Sequence, residues 1–220
     1  LYFILARTDP DAPQHLGISL ILVDMHQVGV QVSPIRVLSG ASPFNETVFE
    51  NALASADDVI GGVNNGWTVG KRLLQFERST HAGINTSGSQ GGRTSDSTLP
   101  MQLQPYLSGQ PALRRALVGH QMDFAAQRLT QQRVIEETAA NAPGFASSAV
   151  KLSNALITQA GDELLINALG TQGVGWAGDF TATELTATRT WLKQKSLTIA
   201  GGTMEVQKNI IAKRVLGLPD

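Results

Sequence analysis

Asn64-Asn65-Gly66-Trp67-Thr68-Val69-Gly70-Lys71-Arg72-Leu73-Leu74-Gln75-Phe76-Glu77-Arg78 is the stretch in which the chain changes its period. Either asparagine can cap a helix by offering its side-chain oxygen to the first free amides. Val69, Leu73 and Phe76 then recur at helical spacing, and Thr80 continues the series. Everything before this stretch reads as β. Leu1–Arg7 and Ile18–Asp24 are short runs rich in β-branched and aromatic residues, bounded by Asp9-Pro10-Asp11-Ala12-Pro13 and by His26-Gln27-Val28-Gly29. Val28–Val32 alternates until Pro34, which confines its neighbourhood to a sheet edge or a bend. Thr47–Phe49 predicts one more short strand before Ala54-Ser55-Ala56-Asp57-Asp58.

Beyond the switch the pattern stays helical. Asn85–Ser108 is rich in Gly, Ser and Thr; its first part weakly prolongs the first helix, and Thr94–Ser108 reads as a mobile loop. A second helix is predicted over about Gln110–Ala140, with Pro111 tolerated in its first turn. A third spans about Phe145–Leu169 and stops at Gly170. Two shorter helices follow at Thr183–Ser196 and Thr203–Leu216, the last ended by Gly217 and Pro219. The expected fold class is α+β: a partial antiparallel β domain over residues 1–62, then an antiparallel helical bundle over 63–220.

Composition narrows the function classes. The chain has 220 residues, 42% of them apolar and 16% charged, enough to bury a core. Its net charge is −1 with both signs interspersed, so no basic stripe offers itself to nucleic acid. Its longest apolar run, Ile18–Val23, falls far short of the roughly 20 residues a membrane helix needs. With no cysteine there is no disulfide, thiolate nucleophile or zinc–cysteine site, a composition that suits the cytoplasm. His15, His26, His81 and His120 lack ligand spacing, so no bound metal is expected. A chain that opens on Leu1-Tyr2-Phe3-Ile4-Leu5-Ala6, directly on a strand and without a signal-peptide layout, reads as a fragment.

The closing run Ile199-Ala200-Gly201-Gly202-Thr203-Met204-Glu205-Val206-Gln207-Lys208-Asn209-Ile210-Ile211-Ala212-Lys213-Arg214-Val215-Leu216-Gly217-Leu218-Pro219 closely resembles the final signature of acyl-CoA dehydrogenases. Leu5-Ala6-Arg7-Thr8-Asp9-Pro10, Gly17-Ile18-Ser19, Val23-Asp24 and Pro34-Ile35-Arg36 resemble the second half of that family's middle β domain. Phe44-Asn45-Glu46, Gly66-Trp67 and Phe76-Glu77-Arg78 match in the same order. The resemblance implies FAD as cofactor and an acyl-CoA substrate. It further implies electron-transfer flavoprotein as acceptor, a homo- or hetero-tetramer, and a place in fatty acid or steroid catabolism. It also implies an amino-terminal helical domain, absent from these residues, that helps form the flavin and substrate sites.

In that family a base removes the α-proton of an acyl thioester while the β-carbon gives a hydride to the flavin, leaving a trans-2-enoyl-CoA. The base must be desolvated and the developing enolate stabilised. One branch of the family places the base in a Tyr-Glu-Gly-Thr motif; the corresponding residues here are Ala200-Gly201-Gly202-Thr203, so Gly201 carries none. A second branch places a glutamate before an arginine on the first helix of the carboxy-terminal domain, and Glu77-Arg78 matches it. Glu77 follows Leu74 by three residues, Gly70 by seven and Trp67 by ten, a face of apolar and small groups on which a carboxyl pKa would rise. The plainer alternative is a solvated Glu77 paired with Lys71, Arg72 or Arg78. Arg78 supports the site's electrostatics in the family reading and reaches solvent in the plain one.

By the same resemblance the Gly201 backbone N–H binds the thioester oxygen; its alternative is a simple turn. Thr203 and Glu205 match residues that touch the flavin nucleotide, and Thr203 is equally a helix cap. Asn167-Ala168-Leu169-Gly170-Thr171-Gln172-Gly173 resembles the segment that meets a neighbouring subunit's flavin diphosphate, with Asn167, Gly170 and Thr171 as contacts, although Gly170 is also an ordinary helix stop. One element departs. Pro105-Tyr106-Leu107-Ser108-Gly109-Gln110-Pro111 lacks the arginine that many members use on the diphosphate, as in actinobacterial steroid-degrading members whose unlike subunits share flavin sites. His120-Gln121 resembles a flavin-binding His-Gln only out of register and reads as ordinary surface. A non-catalytic structural subunit and an acyl-CoA oxidase remain the alternatives. These residues by themselves are expected neither to retain flavin nor to turn over acyl-CoA; gel filtration with flavin absorbance checks this, and stoichiometric flavin would contradict it.

Overall fold

The structure, a computed structural model, describes residues 1–81, 95–139 and 146–219; the side chains of residues 75–81, 95–97, 138–139 and 146–147 lie outside the described set. Five strands come first: β1 (Tyr2–Arg7), β2 (Ile18–Val23), β3 (Val30–Ile35), β4 (Phe44–Phe49) and β5 (Val59–Ile60). Among the described residues six α-helices follow: α1 (Gly66–His81), α2 (Ser95–Leu103), α3 (Pro111–Ala139), α4 (Ala146–Leu169), α5 (Ala182–Gln194) and α6 (Met204–Ile210). A π-helical turn, Ile211–Val215, prolongs α6. Among the described residues no strand occurs after β5, so the expected order of β then bundle holds. By compactness the chain divides into Leu1–Arg36 with Ala41–Ser79, and Val37–Gly40 with Thr80–Asp220.

In the first unit β2 lies between β1 and β5, antiparallel to both, with Leu5 opposite Leu20 and Leu20 opposite Ile60. A separate ribbon pairs β3 with β4 and sets Pro34 opposite Asn45. Pro34 therefore sits in a two-stranded ribbon, where its missing N–H can face outward. Strand β4 begins three residues earlier than the alternation around Thr47 suggested, because pairing with β3 extends it through the polar Asn45 and Glu46.

Helix α1 starts where the period changes, held there by a polar knot. The fully buried Ser19 hydroxyl accepts the Asn64 N–H at 2.8 Å and lies 2.7 Å from the Thr8 hydroxyl, which donates to the Asn64 side-chain oxygen at 2.6 Å. The residue at the cap position is Asn65: its carbonyl accepts the first helical N–H groups, while its side-chain amide donates back to the Gly61 carbonyl at 2.9 Å. Gly66 then passes so close to β2 that a Cβ there would stand 2.3 Å from the Leu20 nitrogen and the Ser19 carbonyl carbon. One turn on, a Cβ at Gly70 would meet Leu5 at 3.3 Å. Two small residues one turn apart let the helix lie against the sheet.

The second unit is built on α4, which packs against α2, α3, α5 and α6. Leu99, Leu103 and Leu117 are buried together, with Leu107, Leu164, Leu165 and Ala168 packed against them. Here the expected loop over Thr94–Ser108 is overturned. It contains α2 and the 3-10 turn Gln104–Tyr106. Pro100 costs α2 a main-chain bond, but Leu99 and Leu103, four residues apart, are almost completely buried, and that burial carries the segment. Helices α3 and α4 are stapled by the buried Gln127, which donates to the Val150 carbonyl at 3.0 Å and accepts from Ser153. Asn85–Thr94 and Phe145 lie outside the described residues.

Gly66→Ala should destabilise the fold by about 1–3 kcal/mol, because the atoms met are backbone and cannot turn aside. Urea denaturation monitored by circular dichroism checks this.

Candidate active-site and flavin-contact segments

The turn between α5 and α6 holds two of the expected site residues, Gly201 and Thr203, and Glu205 follows in the first turn of α6. A 3-10 turn, Lys195–Thr198, leads out of α5, and the Ile199 and Ala200 N–H groups both return to the Ser196 carbonyl at 3.0 and 2.8 Å. Gly201 and Gly202 follow with φ of +67° and +101°, a left-handed pair that residues with side chains adopt only at a cost. None of the described residues accepts the Gly201 N–H. A Cβ on Gly201 would meet only Lys151, at 3.7 Å, whereas one on Gly202 would stand 2.6 Å from the Gln207 amide nitrogen.

Two side chains that the sequence did not single out hold this turn. Lys151, reaching across from α4, donates to the Leu197 carbonyl at 3.0 Å and to the Gly202 carbonyl at 2.6 Å. Gln207, buried in α6, donates to the Gly201 carbonyl at 3.2 Å. Burial pushes the Lys151 pKa down from the ordinary lysine value. One signal was available: Lys151 is the only basic residue in the 24 residues of α4.

Thr203 caps α6. Its backbone is extended and its hydroxyl accepts the Val206 N–H at 3.3 Å. Glu205 stands exposed in the first turn of α6. Its own backbone N–H, then the Thr203 hydroxyl, with a lesser pull from Lys208, hold its carboxyl below the usual carboxylate range. Since the folded pKa lies below the unfolded one, ionised Glu205 stabilises the fold above the ordinary carboxylate range, and this is lost as pH falls through the folded value.

Asn167, Gly170 and Thr171 lie together and exposed where α4 gives way to a 3-10 turn over Gly170–Val174. Gly170 takes φ +59°, and a Cβ there would meet nothing within 4 Å. The donors fit a dinucleotide in part: the Thr171 hydroxyl and the Asn167 amide suit phosphate oxygens, while the Glu205 carboxylate suits a ribose hydroxyl or an adenine amine. The segment 105–111 brings no cation of its own. The neighbouring Arg114 turns back to donate to the Leu107 carbonyl at 3.0 Å.

Glu77 and Arg78 fall on α1, the residue 77 backbone two turns beyond Gly70; both side chains lie outside the described residues. His120 is corrected. It is 5% exposed, buried on α3 rather than lying on the surface, because its position faces α4, where Leu156, Ile157, Ala160 and Leu164 share one groove with it. Among the described residues no His, Cys, Asp or Glu group could hold a metal, and no helix is long and apolar enough to cross a membrane.

The family described as acyl-CoA dehydrogenase, C-terminal domain, matches residues 64–216. The chain belongs to the acyl-CoA dehydrogenase family. It is 34% identical over 220 residues to the acyl-CoA dehydrogenase IpdE1 of Mycobacterium tuberculosis, covering 99% of this chain and 55% of that protein. The same fold recurs in the Tcur3481–Tcur3483 steroid ACAD, with TM-score 0.79 and 22% identity over 98% of this chain and 56% of that one. It recurs also in PigA with FAD and proline, with TM-score 0.71 and 20% identity over 98% of this chain and 56% of that one. The chain thus spans about half the length of these relatives.

Thr203→Ala should raise the Glu205 carboxyl toward its usual range and cost about 1 kcal/mol of stability. Carboxyl titration by NMR and chemical denaturation read the two effects.

Proposed function

We propose that this chain is the carboxy-terminal part of an enzyme that dehydrogenates an acyl-CoA thioester to a trans-2-enoyl-CoA, with Glu77 as the base. The observation that carries the reading is the left-handed Gly201–Gly202 turn, with its Gly201 N–H turned to no described acceptor, inside a chain of this family. That N–H binds the thioester oxygen, whose charge grows as the α-proton leaves. Gly201 offers no carboxylate, so the proton goes to Glu77 on α1, with Arg78 beside it in sequence to support the charge.

FAD fits as the cofactor and, when bound, supplies the acceptor for the hydride lost from the β-carbon. Thr203 and Glu205 hold the nucleotide, and Asn167, Gly170 and Thr171 hold the diphosphate of a neighbouring subunit. The domain boundary belongs at 62/63, with the family's remaining domains in the part of the protein beyond these residues. Electron-transfer flavoprotein is the acceptor, the assembly is a tetramer and the setting is the cytoplasm.

A second reading has an observation of its own. Residues 105–111 hold no arginine, and the Arg114 Nε–H is turned back to the Leu107 carbonyl, so the usual segment supplies no cation to the diphosphate. An unlike subunit is the natural source, which suits a chain related to a steroid ACAD with the paired name Tcur3481–Tcur3483. In that assembly the present chain brings the base. A purely structural subunit would need no residue 77 carboxylate, and an oxidase would differ only in passing electrons to oxygen.

Glu77→Gln in the complete enzyme should keep flavin and bind acyl-CoA, yet slow anaerobic flavin reduction by about 10²–10⁴-fold. Glu77→Asp should recover only part, because its shorter arm misplaces the oxygen. Adding Gly201→Glu to Glu77→Gln should restore some rate if both positions approach one α-carbon. An unchanged rate in Glu77→Gln removes the assignment and favours the structural subunit.

A further inference from the structure

We infer that Lys151 is the positioning residue of the thioester-oxygen site: it locks the Gly201–Gly202 turn in the form that offers the Gly201 N–H. The inference rests on the reading of Gly201 given above. Two consecutive glycines form the most pliable dipeptide a chain can have, and an N–H left to such a turn would sample many directions. A donor aimed at a developing oxyanion works only if its direction is set before the charge appears. Something outside the turn must therefore fix it.

Lys151 is placed to do this. Its ammonium donates to Leu197 O at 3.0 Å and Gly202 O at 2.6 Å, carbonyls that lie on either side of the Gly201 amide. Gln207 takes the remaining carbonyl, Gly201 O, at 3.2 Å. The Ala200–Gly201 peptide that carries the N–H is thus held from both flanks, by the Ala200 N–H on Ser196 O before it and by the bonded Gly201 and Gly202 carbonyls after it, the last a charge-assisted bond. The lysine is itself anchored, since it stands on α4 one residue after the buried Val150, whose carbonyl is bonded to Gln127. Its terminal methylene lies 3.7 Å from where a Gly201 Cβ would stand, so the lysine also packs directly against the turn it holds.

The test uses the complete, flavin-loaded enzyme and two probes. The first is anaerobic flavin reduction by substrate, normalised to bound flavin. The second is acetoacetyl-CoA, whose acidic α-proton lets the bound thioester ionise and show enolate absorbance in the near ultraviolet. Lys151→Met, similar in length but without donors or charge, should lower the limiting reduction rate by about 10–10²-fold, less than the loss of a whole oxyanion donor. It should weaken acyl-CoA binding only about two-fold and lose most of the enolate absorbance. Lys151→Arg, which keeps the cation and the donors, should regain part of both signals. If Lys151→Met does not fold, Lys151→Gln, which can span only one of the two carbonyls, should show the same split between rate and binding. Wild-type rate and enolate absorbance per bound flavin in either neutral variant would overturn the role of Lys151. Absence of both signals in the unaltered enzyme would instead overturn the dehydrogenase reading on which this rests.

Discussion

Helix α4 is the constraint on which the second unit depends, because α2, α3, α5 and α6 all pack against it. Polar groups on the faces of α4 turned to these neighbours are shut off from water and need partners inside. Gln127 answers the Val150 carbonyl and Ser153, and Gln159 reaches the Gln194 carbonyl at 2.9 Å. Lys151 satisfies its ammonium on carbonyls of the turn before α6. These bonds add direction to the apolar packing, because each is met in only one rotation and register of the helix. The turn proposed to bind the thioester is therefore set from the middle of the bundle.

In the first unit a single close approach has the same effect. The Ser19–Thr8–Asn64 knot and the contact of Gly66 with the β2 backbone define where α1 begins and how near it lies to the sheet. Once its start and its distance are set, the helix has no freedom left to place residue 77 anywhere but two turns beyond Gly70.

How much of this was legible depended on the kind of force involved. The switch at Asn64, the start of α3 at Pro111 and the end of α4 at Gly170 could be read, because caps, proline and glycine act locally and leave local signs. Helix α2 could not. Its sequence is that of a loop, and it exists because Leu99 and Leu103 find a buried place against α4, which is tertiary information. His120 was misread for the same reason: one polar residue in a helix carries no mark of the side it faces. The cap at Thr203 and the glycine pair were legible from the motif, whereas Lys151 and Gln207 act on main-chain carbonyls far along the chain, and a carbonyl has no residue type to betray it.

The vacancy at residue 201 and the left-handed turn are linked. A side chain at φ +67° costs roughly 1 kcal/mol or more, so a branch of the family that keeps its base in the turn must meet that strain or shape the turn differently. With glycine there, the backbone can be chosen for the N–H alone, and in the proposed mechanism α1 supplies the base. A carboxylate returned to residue 201 would also stand beside Lys151 and compete with Gly202 O for the ammonium. The proposed arrangement, with the base and the oxygen-binding N–H on different elements, removes a conflict in the turn: Lys151 there meets no acid built into the same loop.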